Sequence, residues 1–196
     1  MKLIFVRHAM THFNEIQLTQ GWCDSPLTET GIRQTQALAQ KLQSYQIQKA
    51  YCSPTGRAKE TINILLHDRQ IIPHDDARLK EVYFGVLEGM PLAMREKLNI
   101  ESPQWIFDHQ MDYRPYQGEW IEDVISRHDD FFDDITKTAD ETILIVGHGC
   151  SLAAWLNSRM TLNKDAVFMK NSSAIIVDFD GQQLTFCQYL KGTDDE

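Results

Sequence analysis

The chain has 196 residues, of which 42% are hydrophobic and 24% charged, as expected of one soluble globular domain spanning 1–196. Its net charge of −9 argues against nucleic acid or an anionic membrane as a partner, because both select a broad basic surface. Apolar runs such as LIFV fall far short of the roughly 20 residues of a membrane helix. The start MKLIFV lacks the h-region of a signal peptide, so we expect a cytoplasmic protein.

Strand and helix patterns alternate through the first half of the chain. Continuous apolar runs predict buried strands, and apolar side chains at three-to-four spacing predict amphipathic helices. In chain order the pattern predicts a strand at 2–6, a helix at 28–45, a strand at 49–53, a turn and helix at 53–66, and a strand edge or loop at 69–76. Pro54 is expected near the first helical position, where its missing N–H costs nothing.

The second half of the chain continues the alternation and ends in a hairpin. In chain order the pattern predicts a helix at 91–98, a helix at 120–138, a strand at 142–147, a helix at 149–160, and strands at 173–179 and 183–190. Asp180 and Gly181 form a strong turn signal between the last two strands. The order predicts a three-layer α/β/α sandwich whose sheet is mostly parallel, with an antiparallel edge.

The aromatic-rich segment 90–118 follows the short acidic stretch LKEVYFGVLEG. We interpret it as a lid-like insertion that gives a substrate an aromatic wall, and the alternative is an excursion with its own small core. The terminal hairpin could also pair across a homodimer. The four cysteines, Cys23, Cys52, Cys150 and Cys187, are widely spaced, which favours reduced thiols over a disulfide framework or a structural zinc site.

Two strand ends carry the residues with the most chemistry. Arg7 and His8 follow the first strand, and His148 follows the strand at 142–147. Ligands of such sheets bind outside the carboxyl ends of the strands, so these side chains are expected to meet. Arginine suits a phosphate monoester because it donates two parallel hydrogen bonds and stays charged, and Arg57 at a helix start is a second candidate.

Histidine can attack phosphorus if the attacking nitrogen is neutral and the other nitrogen donates its proton to an acceptor. His8 fits this role, and His148 could stabilise charge on the phosphoryl oxygens. The leaving alkoxide then needs an acid, for which Glu81 and Glu88 are the candidates.

Five motifs in the order of the chain resemble those of the histidine phosphatase superfamily, which has the phosphoglycerate mutase-like fold. They are RHAMT at 7–11 with Asn14 downstream, DSPLTETG at 24–31, SPTGRAKET at 53–61, LKEVYFGVLEG at 79–89 and GHG at 147–149. The resemblance covers most of the chain. Each motif alone is common by chance, whereas five in the right order at strand and helix ends are specific.

The resemblance implies a role for each matched residue. His8 would be the phosphorylated nucleophile, Glu81 the proton donor, and Arg7, Arg57 and His148 the phosphate pocket. Asn14, Thr11 and Glu119 would complete the substrate-binding set, while Glu88 would be structural. The implied activity is a metal-independent phosphomonoesterase acting on a small phosphorylated metabolite, with no cofactor.

Two departures from the family pattern stand out. Ala9 replaces a glycine and is tolerable if its φ is negative, and Trp120 replaces a serine. They motivate one alternative, a non-catalytic protein that binds a phospho-ligand. A second alternative is a cofactor-dependent phosphoglycerate mutase, against which stand the isolated Arg95 and Arg114 where such relatives have paired arginines.

Overall fold

A mixed β-sheet organises the fold in the computed structural model, which describes residues 1–97, 111–137, 141–162 and 169–193. Its strands are β1 (Lys2–Arg7), β2 (Lys49–Cys52), β3 (His74–Asp75), β4 (Thr142–Gly147), β5 (Ser173–Phe179) and β6 (Leu184–Lys191). Across the sheet the order is β3-β2-β4-β1-β5-β6. The pairs from β3 to β1 are parallel, and β5 and β6 add antiparallel pairs. The predicted fold class is therefore confirmed.

Helices cover both faces of this sheet. They are α1 (His12–Glu15), α2 (Glu29–Lys41), α3 (Gly56–Leu65), α4 (Leu92–Lys97), α5 (Ile121–Ile135) and α6 (Gly149–Arg159). Alternate residues of β1 point to opposite faces: Ile4 and Val6 pack in the cluster that includes α2 and α3, while Leu3 and Phe5 pack with α5 and α6. This alternation produces the three layers. Within the described ranges, no helix has both the length and the apolarity to cross a bilayer.

Local structure differs from the sequence prediction at Pro54 and at α1. Pro54 precedes the helix cap Thr55 instead of lying inside α3. The stretch 69–76, predicted as a strand edge or loop, is a loop that ends in the edge strand β3, His74–Asp75. The short helix α1 was not predicted, because four residues are too few to show a helical period.

The segment 90–118 is described only at its two ends. Residues 98–110 lie outside the described residues, so the lid-like insertion stays a prediction. At the far end a 3₁₀ turn, Arg114–Tyr116, packs against the acidic stretch through Gly85. Gly85 has φ +59, and a Cβ there would lie 1.9 Å from Tyr116 O, so only glycine allows this close approach.

Candidate active site

The two histidines leave the sheet side by side because β1 and β4 are parallel neighbours. Arg7 is in register with Gly147, and the His8 N–H donates to Gly147 O at 3.0 Å. The imidazole centroids of His8 and His148 are 5.2 Å apart, with ring planes at 62°. Both side chains are buried. Residues separated by 140 positions thus face one small volume at the carboxyl edge of the sheet.

The hydrogen-bond partners give the two rings opposite tautomers. Nδ1 of His8 lies 2.7 Å from Ala9 O, and since a carbonyl can only accept, Nδ1 carries the proton and Nε2 keeps a lone pair. Nδ1 of His148 lies 3.0 Å from Nη2 of Arg57, which can only donate, so here Nε2 carries the proton. His8 is therefore arranged as a nucleophile and His148 as a hydrogen-bond donor.

Burial and nearby arginines keep both rings neutral. Burial, followed by Arg57 and Arg7, holds the pKa of His8 well below its usual value of about 6.5. Burial, followed by Arg57 and then His8, does the same to the pKa of His148. A neutral Nε2 on His8 is the form that can attack phosphorus.

Arg57 is fixed in the first turn of α3 by a loop that wraps round its guanidinium. Nη2 donates to Gly21 O at 2.6 Å, and Nη1 donates to Cys23 O at 2.9 Å and to Asp24 Oδ1 at 3.0 Å. Asp24 also accepts a hydrogen bond from the Gly56 N–H at the start of α3. With Nη2 also on His148, the guanidinium is held rigidly beside the histidine pair.

Three buried N–H groups around His8 have no hydrogen-bond partner among the described residues. They belong to Nε of Arg7, Nε of Arg57 and Nε2 of His148. Arg7 is anchored through Nη1 to Met169 O at 2.7 Å, and its guanidinium lies against Gly149, directly after His148. Buried donors without acceptors are costly, and two of these three are cationic, so the cluster is suited to an anion with several oxygens.

Glu81 is buried and fixed to the start of α6, directly after His148. Its Oε1 accepts from the N–H groups of Val82 at 2.9 Å and Ser151 at 2.7 Å, and its Oε2 accepts from the Cys150 N–H at 3.0 Å. A carboxylate is well placed at a helix N-terminus, where N–H groups lack intrahelical acceptors. Oε2 accepts one of these three hydrogen bonds and Oε1 accepts two, so Oε2 has a lone pair for a proton.

Arg127, which the sequence analysis missed, supports the backbone that carries Glu81. Its guanidinium donates to Arg78 O, Lys80 O and Glu81 O at 2.5, 2.7 and 2.9 Å. The Nε1 of Trp22 also donates to Glu81 O, at 2.9 Å. An arginine inside a helix has no motif that distinguishes it from a solvated one, so only the fold could reveal this role.

Thr11 and Asn14 organise the loop after His8. The Thr11 hydroxyl caps α1 by accepting from the Asn14 N–H, and Asn14 Oδ1 accepts from the Thr11 N–H at 3.2 Å. The Thr11 hydroxyl also lies 2.8 Å from Gln20 Oε1, which leaves the buried Nε2 of Gln20 without a partner among the described residues. Gln20 was not among the predicted site residues.

Glu119 and Glu88 both bind backbone. Glu119 accepts from the Tyr83 N–H at 2.8 Å and from Arg127 at 3.2 Å. Its carboxylate therefore supports the acidic stretch, and the substrate-binding role of Glu119 stays a prediction. Glu88 accepts from the N–H groups of Trp22 and Cys23, in keeping with its expected structural role.

The two departures from the family pattern are accommodated. Among the described residues, the non-glycine positions with positive φ are Gln17, Gln117 and Ser172, so Ala9 does not need the freedom of glycine. Ala9 is buried, and its N–H donates to Thr61 Oγ1 at 3.0 Å. Trp120 precedes α5, and its ring lies 4.6 Å from the Arg114 guanidinium.

The fold and the site define an α/β protein with a buried histidine pair and arginines at the carboxyl edge of its sheet. The model of the histidine phosphatase superfamily (branch 1) matches residues 3–190. The chain belongs to this superfamily.

The names of similar proteins point to more than one activity. The chain is similar to a probable phosphoglycerate mutase, GpmB, of Yersinia pestis (strain Pestoides F), with 30% identity over 91% of this chain and 85% of that protein. It is similar in structure to YhfR of Bacillus stearothermophilus, with 31% identity, 94% of each chain covered and a TM-score of 0.81. The alpha-ribazole phosphatase of Shigella flexneri has 25% identity, with 95% of each chain covered and a TM-score of 0.80. These likenesses support an enzyme of the phosphatase or mutase type.

Proposed function

We propose that the protein is a metal-independent phosphomonoesterase that acts on a small organic phosphate through a phosphohistidine at His8. The proposal rests on buried donors of Arg7, Arg57 and His148 that have no acceptor in the described part of the chain. They lie around the imidazole of His8, whose Nε2 is unprotonated. Donors from three side chains suit the phosphoryl oxygens, and the lone pair of His8 Nε2 suits the phosphorus.

The first step transfers the phosphoryl group to the enzyme. Nε2 of His8 attacks phosphorus, and the bond between phosphorus and the ester oxygen breaks. Protonated Glu81 gives its proton to that oxygen as the alcohol leaves. Arg7, Arg57 and His148 hold the non-bridging oxygens, and the Asn14 amide supplies a further donor.

The second step returns the enzyme to its starting state. Glu81, now a carboxylate, takes a proton from water while the water oxygen attacks phosphorus. The bond between phosphorus and Nε2 breaks, which releases inorganic phosphate and neutral His8. Glu81 ends protonated, so protons balance over the cycle.

The arginines provide the positive charge that a metal ion supplies in other phosphatases. We therefore expect turnover of para-nitrophenyl phosphate to persist in excess EDTA. A loss of activity in EDTA that added magnesium or zinc restores would contradict the metal-independent mechanism.

The variant His8→Ala tests the nucleophile. We expect kcat for para-nitrophenyl phosphate to fall by roughly 10³-fold or more, as when a covalent nucleophile is removed. His12→Ala is the matched control, because His12 lies four residues on and is exposed, with its ring near Glu15. Wild-type rates in His8→Ala would refute the proposal.

The name of the Yersinia relative makes phosphoglycerate mutase the second candidate. A mutase must bind the carboxylate of its substrate, yet the Arg114 guanidinium is already engaged by Asp112 at 2.7 and 2.8 Å. We therefore favour hydrolysis. Interconversion of 3- and 2-phosphoglycerate faster than phosphate release would reverse this choice.

A further inference from the structure

Asn171, which no sequence motif singled out, connects the start of β5 to the nucleophile loop. Its Nδ2 lies 3.0 Å from His8 O, 3.3 Å from Ala9 O and 3.2 Å from Asn14 Oδ1. All three atoms are acceptors, so one amide group contacts the nucleophile residue, its neighbour and a predicted phosphate ligand.

The contact with Ala9 O bears on the chemistry of His8. Ala9 O is also the acceptor for Nδ1 of His8, at 2.7 Å. That hydrogen bond keeps the proton on Nδ1 and leaves Nε2 free to attack. Asn171 donates to the same carbonyl, so it helps to fix the position of the group that selects the reactive tautomer.

The contact with Asn14 determines which way that amide faces. Asn14 Oδ1 accepts from the Thr11 N–H as well as from Asn171. If the Asn14 amide turned over, its NH₂ would meet two other N–H donors. Asn171 therefore keeps the NH₂ of Asn14 available for a phosphoryl oxygen.

The backbone next to Asn171 is held in an uncommon conformation. Ser172 is buried and has φ +52, which a residue with a side chain adopts only where its surroundings impose it. Its hydroxyl lies 2.9 Å from Thr35 Oγ1, and its N–H donates to His8 O at 3.3 Å. The turn is thus built to hold Asn171 against the His8 loop.

We propose that Asn171 is a positioning residue that fixes the His8 tautomer and the direction of the Asn14 amide. The inference rests on the proposed phosphatase activity for its kinetic consequence, whereas its structural consequence can be measured without turnover.

The first experiment uses Asn171→Asp, which keeps the shape and removes both N–H donors. Two carbonyls would then face a carboxylate, and the Asn14 amide would turn to donate to it. We expect kcat for para-nitrophenyl phosphate to fall about 10²-fold, as for a misplaced catalytic group, while KM changes less. Asn63→Asp makes the same change on the exposed face of α3 and should leave both constants unchanged.

The second experiment measures coupling with Asn14 through the binding of inorganic phosphate by calorimetry. Asn14→Ala should weaken phosphate binding in the wild type and have little further effect in Asn171→Asp, because Asn14 is already misdirected there. An equal loss in both backgrounds would overturn the role of Asn171 in directing Asn14.

The third experiment observes the His8 tautomer by ¹⁵N NMR in the free protein. Wild type should show Nδ1 protonated, and Asn171→Ala should show a mixture of tautomers. Asn171→Ser, which keeps one donor, provides the measurement if the alanine variant does not fold. An unchanged Nδ1–H tautomer in a folded variant would overturn the proposal, whereas absence of phosphatase activity in the wild type would instead overturn the proposed function.

Discussion

His8 and His148 are the same residue type in opposite tautomers, and the difference comes from one neighbour each. Nδ1 of His8 lies beside a carbonyl oxygen, which can only accept, so this nitrogen donates. Nδ1 of His148 lies beside the guanidinium of Arg57, which can only donate, so this nitrogen accepts. The tautomers follow from these contacts, since each neutral ring has one proton to place. The contacts of two carboxylates differ in the same way: Glu81 accepts from N–H groups at the start of α6, whereas Glu88 accepts from the N–H groups of Trp22 and Cys23.

Glu81→Gln tests whether Glu81 is the general acid when substrates with different leaving groups are compared. For an alkyl phosphate such as phosphoserine, whose alkoxide needs a proton, kcat/KM should fall by roughly 10²–10⁴-fold. For para-nitrophenyl phosphate, whose phenolate leaves unaided, kcat/KM should change far less. Steady-state kinetics with both substrates measures the contrast.

Glu88→Gln is the control for this experiment. Its oxygens hold the Trp22 and Cys23 N–H groups, so we expect lower stability and no dependence on the leaving group. If Glu81→Gln slowed both substrates equally, Glu81 would not be the acid.

The candidate site residues lie in loops and at the starts of helices. The loop that contains Gly85 can approach Tyr116 closely because residue 85 is a glycine. Gly85→Ala should destabilise the protein by about 3 kcal/mol, because it combines a positive φ with a Cβ that would clash with Tyr116 O. Gly89 also has a positive φ, of +79, but a Cβ there would meet nothing within 4 Å, so Gly89→Ala should cost only about 1 kcal/mol. Urea unfolding of both variants makes the comparison, and equal losses would show that the clash is relieved cheaply.

Regular elements were predictable where a periodic pattern extends over enough residues. β1, β4, α2, α5 and the terminal hairpin follow from apolar spacing and from the turn at Asp180 and Gly181. The short α1 has too few residues to show a period, and β3 pairs only two residues with β2. Such elements exist because neighbouring structure completes them, which a local pattern cannot show.

At the scale of the whole molecule, the sequence indicated which residues could meet but not what would hold them. Strand ends predicted that Arg7, His8 and His148 would lie at one edge of the sheet. The support from Arg127 and Asn171 depends on contacts between segments that are far apart in the chain. Neither residue belongs to a motif that the sequence analysis used, so only tertiary structure reveals them.

Buried histidines should make the stability of the whole molecule depend on pH. Burial is the main cause that lowers the pKa values of His8, His148 and His128, the last to about 3. Below about pH 6.5 the unfolded chain therefore binds protons that the folded chain does not. Above that pH the free energy of unfolding keeps its full value. As the pH is lowered further, it should decrease by up to about 1.4 kcal/mol per pH unit for each histidine.

Urea unfolding between pH 5 and 7.5 measures this slope. His128→Gln removes a buried imidazole and should make the slope shallower, while His67→Gln changes an exposed residue and should not. A slope that is the same in His128→Gln as in the wild type would contradict this account of the buried rings.

The most direct test of the central claim is to trap phosphate on the protein. Glu81→Gln, mixed with ³²P-labelled para-nitrophenyl phosphate and quenched rapidly, should accumulate label, because the first step does not need the acid for this substrate and the second step lacks its base. The account predicts an acid-labile, alkali-stable label on the peptide that contains His8, and none when His8→Ala is added. Label on another residue, or rapid turnover with no label on the protein, would contradict it.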